Sequence, residues 1–209
     1  MELIANGISK TIGGRNILSN ISLELKSGMI YGFVGRNGSG KTMLFRALSG
    51  LITTSSGTIS FDGKQMGKDF YVLPNLGIVI ENVGLYPDLT GVENLQYLAN
   101  LRKRIGISEI KNALVRVGLD PQDKRSFRKY SLGMKQRLAI AQAIMEKPDV
   151  IMLDEPTNGL DEDGVVQIRQ VIFEEKSRGA LILLTSHSRD DIKALADVVY
   201  HIDGGMLSI

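Results

Sequence analysis

Apolar residues follow two rhythms along the chain. Short, nearly continuous apolar runs recur at "NISLEL" (20–25), "MIYGFV" (29–34), "GTISFD" (57–62), "LGIVI" (76–80), "VIML" (150–153), "ALILLT" (180–185) and "VVYHID" (198–203). Their length and β-branched content predict strands. From about 90 to 146 the rhythm changes to apolar positions three or four apart, in "GVENLQYLANLR", "SEIKNALVRVG" and "MKQRLAIAQAIM", with no convincing strand among them. That spacing predicts helices. Strands that alternate with helices predict α/β layering on a mostly parallel sheet, with an N-terminal β-rich part and a helical block inserted at about 84–147. No repeat, linker or low-complexity tract divides 1–209, which is expected to form a single domain.

Composition narrows the setting. A chain of 209 residues that is 43% hydrophobic can bury a full core. A formal charge of +2 is too small to argue for nucleic acid as a partner. The absence of cysteine excludes a disulfide framework and a cysteine metal site, and fits a reducing compartment such as the cytoplasm. Runs such as "ALILL" fall far short of the roughly 18 to 20 apolar residues that span a bilayer. "MELIANGISK" does not resemble a signal peptide, so a membrane role is expected to come through a partner.

The chemistry concentrates in two segments. "MIYGFV" runs into "GRNGSGKT" (35–42) and then into the helix-compatible "MLFRALSG". A G-x-x-x-x-G-K-T spacing between a strand and a helix predicts a phosphate-binding loop. Gly35, Gly38 and Gly40 let backbone N–H groups converge on phosphate oxygens, and the helix start adds partial positive charge. Lys41 would neutralise β- and γ-phosphate charge, and the Thr42 hydroxyl would serve Mg²⁺. Arg36, Asn37, Ser39 and Met43 complete the expected nucleotide contacts. The second segment, "DVIMLDEPTNGLD" (149–161), is an apolar strand that ends in two carboxylates. Asp154 is placed to hold Mg²⁺, and Glu155 to orient or deprotonate the water that attacks the γ-phosphate. Alone, such a pair is also what a solvated strand end looks like. Beside a phosphate-binding loop, the metal-and-base reading takes precedence.

"YSLGMKQRLAIAQAI" (130–144) decides among the many proteins with such a loop. It resembles the signature of ATP-binding cassette (ABC) ATPases, and the chain resembles that family along nearly its whole length, with the motifs in the family's order. The resemblance implies a P-loop ATPase of the ABC type that takes ATP and Mg²⁺ and pairs head to tail with a second ATPase subunit, identical or not. Ser131, Leu132, Gly133 and Met134 would then meet the nucleotide held by the opposite subunit, and Asp161 of "NGLD" would cross the interface. A capped amphipathic helix is the plainer reading of the same segment, and the two are compatible. His187 in "TSHS" (185–188) resembles the switch that contacts the γ-phosphate, although a lone histidine after a strand is also commonly structural. Leu132 and Met134 depart from the residues usual in the signature. The family usually has an aromatic residue at Ile12 to stack on adenine, and a glutamine at Glu81 near the metal.

The resemblance further implies a separate transmembrane permease, met near "GLYPDL" (84–89), and a position on the cytoplasmic face of the membrane. The "SLGMKQR" form resembles bacitracin and lantibiotic resistance exporters and points to export. The alternative is a non-transport ABC ATPase acting on nucleic acid or the ribosome. It would call for a long coiled-coil insertion or a second cassette, and this sequence has neither. The basic residues Lys124, Arg125, Arg128, Lys129, Lys135 and Arg137 around the signature form either a solvated face or an attractor for phosphate.

Overall fold

The computed structural model describes residues 1–80 and 84–208, with the side chain of Arg189 excepted. Among these described residues, ten strands form two sheets. The first is antiparallel, in the order β2-β1-β4-β5, from β1 (Glu2–Ile12), β2 (Arg15–Lys26), β4 (Ser56–Phe61) and β5 (Lys64–Gln65). The second has the order β10-β9-β3-β8-β7-β6, from β3 (Ile30–Val34), β6 (Leu76–Val79), β7 (Val150–Leu153), β8 (Leu181–Thr185), β9 (Val198–Asp203) and β10 (Met206–Ser208). Its strands pair in parallel from β9 through to β6, and only β10 is antiparallel.

Parallel strands covered on both faces read as unbroken apolar runs, because every side chain is buried whichever way it points. β7 and β8 show this directly. Ile151, Leu153, Ile182 and Leu184 join one core with Leu138, Ile168 and Ile172. Val150, Met152, Leu181 and Leu183 join a second core with Leu3, Leu44, Leu48 and Ile59. Helix α1 (Lys41–Ser49) and the antiparallel sheet therefore cover one face, while α4 (Leu132–Ile144) and α5 (Glu162–Ser177) cover the other.

Between β6 and β7 the described chain is helical, with α2 (Gly91–Arg102), α3 (Ile107–Arg116), a short 3-10 turn at Phe127–Lys129 and α4. A capping box opens α2: the Thr90 hydroxyl accepts from the Glu93 amide, and Glu93 accepts from the Thr90 amide. Asn94, at 0% exposure, is fully satisfied. Its Nδ2 donates to the carbonyls of Tyr86, Leu89 and Thr90, and its Oδ1 accepts from the Tyr86 amide at 2.7 Å. This one side chain binds the "GLYPDL" loop to α2. The last helix, α6 (Arg189–Leu195), links β8 to β9. No helix among the described residues is long and apolar enough to cross a membrane.

Candidate active site

The phosphate-binding loop spans the gap between β3 and α1, at the carboxyl end of the parallel strands, where α/β sheets place their ligands. Gly35 is required there by packing: a Cβ would collide with the carbonyl oxygen of Ile202 on β9 and with Ser39 Oγ. The neighbouring strand, rather than phosphate approach, dictates that glycine. Gly40 precedes α1 at a φ of 112°, a backbone that L side chains rarely adopt. The first turn of α1 carries no acid of its own, which favours an anion at its N–H groups. Lys41, only 7% exposed, donates through Nζ to the carbonyls of Gly35 (2.7 Å) and Arg36 (3.1 Å) and so straps the loop from inside.

The two carboxylates arrive from β7. The Asp154 amide donates to the Val79 carbonyl, which extends the β6–β7 pairing by one residue. Asp154 Oδ2 accepts from Thr42 Oγ1 at 2.9 Å, and Oδ1 accepts from Thr185 Oγ1 at 2.5 Å. The same Thr185 hydroxyl accepts from the Glu155 amide at 3.0 Å. One buried hydroxyl at the tip of β8 thus sets both acidic residues. Glu155 has a φ of 54°, a left-handed backbone that costs a non-glycine residue about 1 to 2 kcal/mol. Its Oε2 accepts from the His187 amide at 3.0 Å. Its Oε1 is buried without a hydrogen bond, 3.3 Å from His187 Nε2.

Thr185→Val should keep the fold and lose both hydrogen bonds. A bond to a charged group contributes about 1.5 to 3 kcal/mol, so turnover should fall roughly ten- to a hundredfold, with a raised Mg²⁺ requirement. Steady-state phosphate release titrated with Mg²⁺ checks this, and a wild-type rate in Thr185→Val would deny Thr185 the role.

A cleft of about 240 Å³ gathers Lys41, Thr42, Met43, Asn37, Gly38 and Gly40 with Asp154, Glu155 and His187. The donor set suits a nucleoside triphosphate with Mg²⁺: backbone amides and a lysine for phosphate, and one hydroxyl with one carboxylate for a cation that takes its remaining ligands from water and phosphate. Among the described residues, no group of three or more His, Asp or Glu forms a metal cage. Ile17, near the start of β2, also lines the cleft. Ile12, expected from sequence at the place of the family's aromatic, ends β1 at 49% exposure and is not among the lining residues. Glu81 lies outside the described residues.

The signature sits elsewhere. Ser131 caps α4, its Oγ accepting from the Met134 amide at 3.2 Å. Ser131, Leu132, Gly133 and Met134 line a separate cleft of about 640 Å³ with Gly159, Leu160 and Asp161. Leu132, 68% exposed, leans over Gly159, which ties the signature to the "NGLD" loop. Asp161 caps α5 through the Gly164 amide and meets Arg137 at 3.3 Å. Much of the basic cluster is committed within the chain. Arg125 pairs with Asp123 and holds its carboxyl below the usual carboxylate range, Arg128 pairs with Asp88, and Lys135 lies over the Phe127 ring. Burial pushes the Tyr130 phenol up.

Fold and site together define a P-loop nucleotide-binding α/β protein. The model of the family described as ABC transporter matches residues 18–158, and the chain belongs to that family. It is 45% identical to an uncharacterized ABC transporter ATP-binding protein, YybJ, of Bacillus subtilis, over 96% of this chain and 92% of that one. It is 37% identical to the lantibiotic transport ATP-binding protein SrtF of Streptococcus pyogenes, over 96% and 86%. It is 40% identical to the bacitracin transport ATP-binding protein BcrA of Enterococcus faecalis, over 92% of this chain and 63% of BcrA. In fold it matches the dimeric ABC transporter cassette MJ0796 at a TM-score of 0.89 and 21% identity, covering 99% of this chain and 97% of that one. These relatives favour transport over the nucleic-acid and ribosome alternative.

Proposed function

We propose that the chain is the ATP-hydrolysing motor of a membrane exporter, acting as one half of a head-to-tail pair of ATPase subunits, identical or not, on a separate transmembrane permease at the cytoplasmic face. The observation that carries the pairing is the separation of the two clefts. Signature residues Ser131 and Gly133 share no cleft with Lys41 and Glu155 in one chain, so a second subunit is needed to bring them to the γ-phosphate. Relatives described as a dimeric cassette, and as a post-hydrolysis dimer bound to ADP and phosphate, support that reading. The names of SrtF and BcrA, lantibiotic and bacitracin transport proteins, support an antibiotic-class cargo.

In hydrolysis, Glu155 takes the proton of a water whose oxygen attacks the γ-phosphorus while the bond to the β-phosphate oxygen breaks, releasing ADP and phosphate. Lys41 and the α1 amides neutralise charge on the β- and γ-phosphates. His187 would meet the γ-phosphate, and its backbone amide donates a hydrogen bond to Glu155 Oε2. Thr42, Asp154 and Glu81 would hold Mg²⁺, which supplies charge neutralisation at the phosphates. Ile17, which lines the cleft, would offer adenine apolar contact without stacking, and Ile12 would do so only from outside the cleft lining.

The permease is tested by purifying the tagged native complex from detergent-solubilised membranes. A polytopic membrane protein should co-purify and stimulate ATP hydrolysis. Recovery of the chain only from the soluble fraction, with no membrane protein attached, would overturn the transport reading.

A further inference from the structure

Glu155 stands out among the described residues that have positive φ. The other non-glycine cases are Asn20, Asp62 and Asn75, whose side chains tolerate this region, and Lys103 and Lys147, which terminate or follow helices. Glu155 instead follows a strand and carries the carboxylate assigned to the attacking water. Something must hold its backbone there, because the aim of a carboxylate is set by the backbone that bears it.

Three contacts do so. The Glu155 amide donates to Thr185 on β8, its carbonyl accepts from the Asn158 amide at 3.1 Å, and that carbonyl also accepts from Gln136 Nε2 at 3.1 Å. Gln136 Nε2 donates in addition to the Pro156 carbonyl at 3.2 Å, so its two amide hydrogens hold successive peptide units. The Asn158 bond is local to the turn and moves with it. Thr185 fixes the amide side of Glu155, and Gln136, reaching across from α4, fixes the carbonyl side. Among the described residues, no other tertiary donor reaches that carbonyl.

We infer that Gln136 is a positioning residue for Glu155. Its side-chain amide holds the Glu155–Pro156 peptides and keeps the carboxylate aimed, and the placement of α4 thereby sets the competence of Glu155. α4 begins at the signature serine, and Gln136 lies about 7.5 Å further along the helix axis. Engagement of Ser131 at the partner's nucleotide and the aim of Glu155 at this chain's own nucleotide therefore share one rigid element. The inference rests on the reading of Glu155 as the water-orienting group.

Three substitutions in the full chain separate hydrogen-bond donation from shape. Gln136→Glu keeps the shape and loses both donors, Gln136→Lys changes the shape and keeps donors, and Gln136→Ala loses both. At saturating ATP and Mg²⁺, the turnover of Gln136→Glu and Gln136→Ala should fall on the order of ten- to a hundredfold, the scale for a misplaced reacting group. KM and fluorescent-ATP affinity should stay within about twofold, since the loss lies in the transition state. Gln136→Lys should retain more turnover than Gln136→Glu. A packing role reverses that order, and either the reversed order or wild-type turnover in Gln136→Glu would overturn the inference. If Gln136→Glu fails to fold, Gln136→Ala and Gln136→Lys decide by the same split. Glu155→Gln is measured alongside. If it retains turnover, the reading of Glu155 has failed; if it collapses while Gln136→Glu does not, only the positioning role has failed.

Discussion

Glu155→Gln should bind ATP and Mg²⁺ normally and accumulate as a closed dimer, while turnover falls by roughly two to four orders of magnitude, the range for losing a positioned base. The amide keeps the volume of the carboxylate and can still accept at its oxygen from the His187 amide, so the switch loop has no reason to move. What it cannot do is take a proton. The wild-type Glu155 Oε1 is buried with no hydrogen bond and lines the same cleft as Lys41 and Thr42. That oxygen lies 3.3 Å from His187 Nε2 and is the acceptor expected to take the proton of a water at the γ-phosphate. Size-exclusion chromatography with and without ATP reads the dimer, and phosphate release reads the chemistry. Unchanged turnover would remove Glu155 from the mechanism.

Lys41→Ala should fail earlier, at binding. No other lysine or arginine lines the phosphate cleft among the described residues. Charge-assisted hydrogen bonds contribute about 1.5 to 3 kcal/mol, so ATP affinity should drop at least ten- to a hundredfold, with ADP affected through its β-phosphate. Alanine also leaves the carbonyls of Gly35 and Arg36 without the strap that Lys41 provides, which loosens the loop itself. Titration with a fluorescent ATP analogue separates the two variants: Glu155→Gln keeps its affinity and Lys41→Ala loses it. Undiminished affinity in Lys41→Ala would mean that the loop amides and the α1 terminus carry the phosphate alone.

The parts legible from sequence were those whose chemistry forces a fixed local spacing. The phosphate-binding loop needs its glycines, lysine and threonine within eight positions, and the acidic strand tip needs an apolar run directly before it. β1 was not legible as a strand. Its register shifts repeatedly against β2 between Ala5 and Thr11, and that breaks the alternation that would have marked it. β5 and β10 are too short to carry a period. The roles of Thr185 and Gln136 have no local signature, because they exist only once β8 and α4 are brought against β7. Ile17 was hidden in the same way, as an ordinary strand residue until β2 folds over the loop. The basic cluster was ambiguous in sequence because two of its acidic partners, Asp88 and Asp161, lie far along the chain from Arg128 and Arg137.

The buried Asn94 has a mechanical consequence. The Asn94 side chain accepts from the Tyr86 amide and shares its two Nδ2 hydrogens among the carbonyls of Tyr86, Leu89 and Thr90, so slippage of the Tyr86 loop would leave the buried Asn94 amide group unpaired. A force applied at Tyr86 is therefore expected to act on the first turns of α2 as well as on the loop, because Asn94 belongs to both.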